Sequence, residues 1–222
     1  MFDELHKYRS WRNFLNGVYD EFHKKRFPRA LPPGFSRPRT PLVCRVERVG
    51  SPLSRNALRE DLELNHQTVT RWLDIFECLY AIFRLPPFGA PRLRAVKHEQ
   101  KHYHYHWSVV PDEGPRFENM LASHLLKWIH FQFNSEGREL ELRYFRDVDA
   151  REVDFVVVER RKPILMVEAK LAAGPLSPSV RYLEQRFPGC DAFQVHLRGR
   201  DESVTAEGVR LWTAARFLQT LV

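Results

Sequence analysis

Apolar positions recur along this chain with periods that change from segment to segment. From about Glu4 to Arg26, Leu5, Tyr8, Phe14, Leu15, Val18 and Phe22 fall near one face and predict an amphipathic helix. Phe27 to Pro41 then carries five prolines and a glycine, which excludes regular helix and predicts an extended connector. Further on, Ser54 or Asn56 can cap a short helix striped by Leu58 and Leu62. Asn65 or His66 opens a second, in which Val69, Trp72, Leu73 and Phe76 keep helical spacing. Two short helices joined by a tight turn make a helix-turn-helix, and the apolar alternation at Ile82, Phe83 and Leu85 adds the strand of a winged helix.

The stretch from Lys97 to Trp107 alternates in another way. As a strand it places His102, His104 and His106 on one face and Tyr103, Tyr105 and Trp107 on the other. Three histidines on one face could hold Zn²⁺. A core strand with a polar exterior explains the same alternation, and no cysteine or carboxylate stands at a supporting spacing.

Pro111 to Pro115 reads as a turn, and from Arg116 or Phe117 to about Phe131 a wide apolar stripe predicts a long helix. Leu140 to Phe145 predicts a strand. Val153 to Val158 and Ile164 to Val167 predict a buried hairpin around the polar turn Glu159 to Pro163. Ser179 to Phe187 predicts a helix, Ala192 to Leu197 a strand, and Val209 to Leu221 a final strand or helix. This order predicts an α/β domain of restriction-endonuclease-like type with its site at the centre of the sheet.

The chemistry concentrates on the hairpin. A turn near Arg161 sets Asp154 opposite Glu168, and the period of two puts Lys170 on the face of Glu168. Carboxylates on apolar strands need partners or a metal. Two carboxylates one hairpin width apart can hold Mg²⁺ or Mn²⁺ with several waters, and the lysine can hold a water or neutralise charge developing on a phosphate. Asp154, then Glu168-Ala169-Lys170, is the pattern of the PD-(D/E)XK nucleases. The same residues also read as strand-end charges paired with one another, and Glu118 as a charge favoured in the first turn of its helix.

Composition narrows the partners. A net charge of +7 and a pI near 9.5 suit a polyanion such as DNA. On the second helix Gln67, Thr68, Thr70 and Arg71 take early, outward positions where a recognition helix meets bases and phosphates; winged helices also serve as protein-docking modules. Cys44, Cys78 and Cys190 are far apart and odd in number, as free thiols in a reducing compartment would be. With no apolar run of 18 residues and no apolar signal core at the N-terminus, the expectation is a cytoplasmic protein without membrane spans.

With these elements in order, the sequence resembles the uncharacterised C-terminal domain that follows a P-loop, AAA-type ATPase module in many bacterial and archaeal proteins. That domain is classed with the PD-(D/E)XK nuclease fold and follows a winged helix. The resemblance runs from about Val43 to the C-terminus on Val-Gly-Ser-Pro-Leu-Ser from Val49, Arg-Phe-Glu-Asn at 116–119, Leu-Arg-Tyr-Phe-Arg at 142–146, Arg-Glu-Val-Asp-Phe at 151–155 and Val-Glu-Ala-Lys at 167–170. Behind the helical arm and linker read over 1–41, it implies a winged helix over 42–110 and a nuclease-like domain over 111–222.

It also implies that Glu118 joins Asp154, Glu168 and Lys170 as the catalytic set. Asp154 and Glu168 would be the metal ligands, Glu118 would assist through water, and Lys170 would position or activate the attacking water. Two departures stand out. His106 replaces the family's usual aspartate, and no Gly-x-x-x-x-Gly-Lys-[Ser/Thr] occurs, so this chain has no phosphate-cradling loop. A stand-alone or truncated member, or one served by an ATPase in trans, fits that absence. The expected function is metal-dependent DNA cleavage, with a non-catalytic DNA-binding or ATPase-docking module as the alternative.

Overall fold

The computed structural model describes residues 49–51, 65–89 and 100–221. The predicted arm over 4–26, the proline-rich connector and the helix carrying Leu58 and Leu62 lie outside them.

Helix α1 spans His66–Cys78 and begins where Asn65 caps it, the Asn65 side chain accepting the Thr68 N–H at 2.7 Å. Its Val69 and Leu73 pack with Ile82 in a small apolar cluster. Strands β1 (Ile82–Leu85) and β2 (Lys101–His104) pair antiparallel, with Phe83 opposite Tyr103. All four residues of β2 are buried. The strand ends at His104 rather than running on to Trp107, because Trp107–Val109 turns into a short 3₁₀ helix. The expected three-histidine face therefore does not form: His102 and His104 are buried, whereas His106 is exposed and bonded to Ser108 at 2.9 Å.

Helix α2 spans Glu113–Glu136 and takes in residues the sequence assigns to a turn. Pro115 lies in the first helical turn, where the missing N–H would have no helical acceptor, so proline starts this helix instead of breaking it. At the other end Gly137 (φ 67°) supplies the left-handed cap. Its Phe117, Leu121, Leu125 and Ile129 are buried against the sheet. Each such side chain contributes on the order of 1.5–3 kcal/mol by leaving water.

The sheet has six strands in the order β3 (Leu140–Arg146), β4 (Glu152–Glu159), β5 (Lys162–Ala172), β6 (Asp191–Arg198), β8 (Arg210–Thr213) and β7 (Ser203–Val204). Strands β3 to β5 form an antiparallel meander, and β6 joins β5 in parallel after the crossover helix α3 (Pro178–Arg186). The segment expected as a last strand or helix is both, β8 followed by α4 (Ala214–Gln219). The result is a mixed α/β fold. Helix α2 covers one face of the sheet, and a second cluster of Val156, Met166, Val180 and Leu183 beneath α3 covers the other. Among the described residues no helix is long and apolar enough to cross a membrane.

Strand β4 carries the irregularity that matters for the site. Between Arg143 and Phe145 on β3 there are two steps, but their partners Val156 and Val153 on β4 are three apart. The extra residue falls at Asp154 or Phe155, and a bulge there re-aims the side chains beside it. The β4–β5 ladder also stops at Phe155 opposite Val167. Beyond it the Asp154 carboxylate replaces a main-chain partner and accepts the Ala169 N–H at 2.9 Å.

Candidate active site: a carboxylate cluster around a buried lysine

The ends of β4 and β5, the first turns of α2 and strand β2 meet beside a cleft of about 270 Å³. Glu118 from α2 and Lys170 from β5 line it, with Val49, Gly50 and Ser51 along its edge. The register places Asp154 where it would face Glu168. Glu118, Asp154, Glu168 and Lys170 all stand in this one region, linked by contacts that the sequence does not announce.

At the centre is Lys101, whose side chain is 1% exposed. Its Nζ lies 2.6 Å from Glu152 Oε1, 3.3 Å from Glu118 Oε1 and 3.4 Å from Asp154 Oδ1. Tyr103 shares the same strand face two residues on, and its hydroxyl donates to Glu118 Oε1 at 2.6 Å. On the cleft side Lys170 Nζ lies 2.6 Å from Glu168 Oε1. The other oxygen of that carboxylate, Glu168 Oε2, is buried and has no hydrogen-bond partner.

The electrostatics follow from this crowding. Burial, reinforced by the charge of Asp154, pushes Glu118 up to about 8 against the opposing pull of Lys101 and Tyr103. Burial and Asp154 likewise raise Glu168 to about 7, with Lys170 opposing. Burial acts to lower Lys101, but Asp154, Glu118 and Glu152 outweigh it and hold the ammonium above its usual range. The carboxylates are therefore short of positive charge even with both lysines in place.

Among the described residues no three His, Cys, Asp or Glu side chains form a ready-made metal cage. The space between Glu118, Glu152 and Asp154 is taken by the Lys101 ammonium. What remains fits a smaller donor set. Glu168 Oε2 is an orphaned buried acceptor beside Asp154, and Mg²⁺ is commonly held by one or two carboxylates with water completing its shell.

Gly50 adjoins this cluster. At φ 78° it occupies a conformation that side chains resist, and a Cβ there would stand 2.7 Å from both oxygens of Glu118. Gly50→Ala is expected to lower stability by about 1–3 kcal/mol, through left-handed strain and a displaced carboxylate. Urea unfolding measures it, and an unchanged midpoint would refute the close approach.

The residues expected on the nucleic-acid face divide. Gln67 and Arg71 are exposed on α1, and Thr68 is half-buried. Thr70 is half-buried with its hydroxyl turned inward, because one residue advances a helix by only about 100° and Thr70 flanks the buried Val69. Lys101, Tyr103, Glu152 and Gly50 were not singled out as site residues from the sequence. One signal was available: Lys101 has the parity of Tyr103 and Tyr105, and a lysine on the aromatic face of a core strand needs carboxylates around it.

A mixed α/β domain with a carboxylate–lysine cluster at its splayed strand ends is thus the class that fold and site define. Residues 113–215 match a family described as a domain of unknown function, DUF4143, and residues 39–110 match a second domain of unknown function, DUF8612. No curated protein and no solved structure matches the chain.

Proposed function

We propose that this protein is a metal-dependent DNA endonuclease of the PD-(D/E)XK type, its sheet and α2 forming a restriction-endonuclease-like core and α1 with the β1–β2 hairpin belonging to a winged helix. The observation that carries this reading is the buried, unpartnered Glu168 Oε2 beside Asp154, with Lys170 at hydrogen-bond distance from the same glutamate. A structural ion pair leaves no such acceptor, since an unsatisfied buried carboxylate oxygen is costly.

A bound Mg²⁺ or Mn²⁺ would lower the pKa of a coordinated water and polarise the scissile phosphate. Asp154 and Glu168 would hold that ion. Asp154 is fixed for the task by the Ala169 N–H and by Lys101. Lys170, 44% exposed on the cleft side, can reach a water or a phosphate oxygen and offset the negative charge that develops there. Glu118, held by Tyr103 and Lys101, can accept a hydrogen bond from water on the cleft wall. Gln67 and Arg71 would contact the duplex, and the excess of basic residues would favour its approach. The setting would be the cytoplasm, with an AAA-type ATPase supplied in trans.

One observation favours a second reading. Lys101 already pairs with Glu118, Glu152 and Asp154, as it would in a docking module that keeps its carboxylates only for structure. Cleavage of plasmid, linear and branched DNA with Mg²⁺ or Mn²⁺ separates the two. The nuclease requires cutting that chelation stops and that the near-isosteric Asp154→Asn reduces by about 10²-fold or more. Folded, metal-loaded protein that cuts none of these substrates leaves the docking module.

A further inference from the structure

We propose that the Lys101 ammonium stands in for a second metal ion, so that the carboxylate cluster binds a single divalent cation, on the Glu168 side of Asp154. The inference rests on the metal-dependent reading above and concerns a residue that the hairpin motif does not contain.

The geometry makes Lys101 a built cation site. An ammonium has three N–H donors, and three carboxylates surround this one: Glu118 at 3.3 Å, Glu152 at 2.6 Å and Asp154 at 3.4 Å. The Tyr144 ring adds a further electron-rich wall, its centroid 5.4 Å from Nζ. With its side chain 1% exposed, Lys101 cannot swing out to solvent without leaving three half-buried carboxylates uncompensated. Paired metal ions in phosphodiester-cleaving sites sit about 3.5–4 Å apart, bridged by shared carboxylates. Asp154 presents Oδ1 to Lys101, while its Oδ2 accepts the Ala169 N–H from β5, the strand that also carries the partnerless Glu168 Oε2.

Charge points the same way. Glu118, Glu152, Asp154 and Glu168 face Lys101 and Lys170, with Arg146 at 3.9 Å from Glu152 on the rim. With all four carboxylates ionised the two lysines leave a net charge of −2, which one divalent ion cancels in full. A second would leave the cluster in excess of positive charge and would have to expel Lys101 from its three partners.

Mn²⁺ titration by calorimetry, with free Mn²⁺ counted by electron paramagnetic resonance, tests this without reference to cleavage. One ion per wild-type chain is expected, one in Lys101→Arg, and two in Lys101→Met, where the neutral side chain vacates the second position. If Lys101→Met folds only with metal, a larger rise in its Tm on adding Mn²⁺ than in wild type carries the same result. Two ions per wild-type chain would overturn the inference while leaving the nuclease reading in place, as would a count of one in folded Lys101→Met. No ion bound to wild type would overturn both.

Discussion

Asn119→Ala is expected to lower stability by about 2–4 kcal/mol, the loss of two buried hydrogen bonds with the His104 N–H left stranded. Asn119 is fully buried on α2, one residue after Glu118. Its side-chain oxygen accepts the His104 N–H at 2.8 Å, and its amide donates to the His104 carbonyl at 2.7 Å. Both ends of one amide thus satisfy both main-chain groups at the end of β2. Removing it strands the His104 N–H and leaves the His104 carbonyl with only the long contact to the Ser123 hydroxyl at 3.4 Å. Because β2 also carries Lys101 and Tyr103, the clip sets the height of these two side chains against Glu118. Asn119→Asp is the sharper control: it keeps the acceptor for His104 N–H but loses the donor, so it should recover part of the stability at most. Guanidinium unfolding reads the difference, and a change below about 0.5 kcal/mol in Asn119→Ala, typical of an exposed substitution, would show that the clip does not hold β2.

The sequence-based reading reached as far as local periodicity carries. Asp154, Glu168 and Lys170 lie within one hairpin, so the period of two and the position of the turn place them together without knowledge of anything distant. Glu118 came only through the family resemblance, since 36 residues separate it from Asp154 and nothing in its own helix distinguishes it from a first-turn charge. Lys101 was hidden by its surroundings. The histidines that follow it draw attention as metal ligands, whereas the lysine reads as the polar start of a strand. Its partners lie 17, 51 and 53 residues away, distances over which no periodicity speaks. The bulge at Asp154 or Phe155 was equally illegible, because its cause lies in pairing across two strands and no glycine or proline marks it. The start of α2 was misread for a local reason: Gly114 and Pro115 are turn residues by composition, and only the helix behind them makes proline a first-turn residue.

Lys170→Met is expected to separate chemistry from binding. Lys170 is 44% exposed but its partner Glu168 is buried, so losing the ion pair should cost about 1–3 kcal/mol in stability, through the carboxylate oxygen left without a donor. Lys170 also opposes the upward shift of Glu168, so without it the glutamate is held more firmly protonated in the metal-free protein. A divalent ion brings the same compensation and more, and it no longer meets a neighbouring ammonium. Mn²⁺ affinity at a pH above the Glu168 shift should therefore be retained or improved. Cleavage should nevertheless fall by about 10²–10³-fold, the usual consequence of removing one preorganised donor from a site where negative charge develops. Single-turnover cleavage set beside Mn²⁺ titration measures both quantities on one preparation. A matching loss of affinity would make Lys170 a support for the ligands, and an unchanged cleavage rate would exclude it from the reaction. The expected pattern, weakened chemistry with intact metal binding, is what distinguishes a lysine facing the reacting phosphate from Lys101, whose three carboxylate partners tie it to the cluster itself.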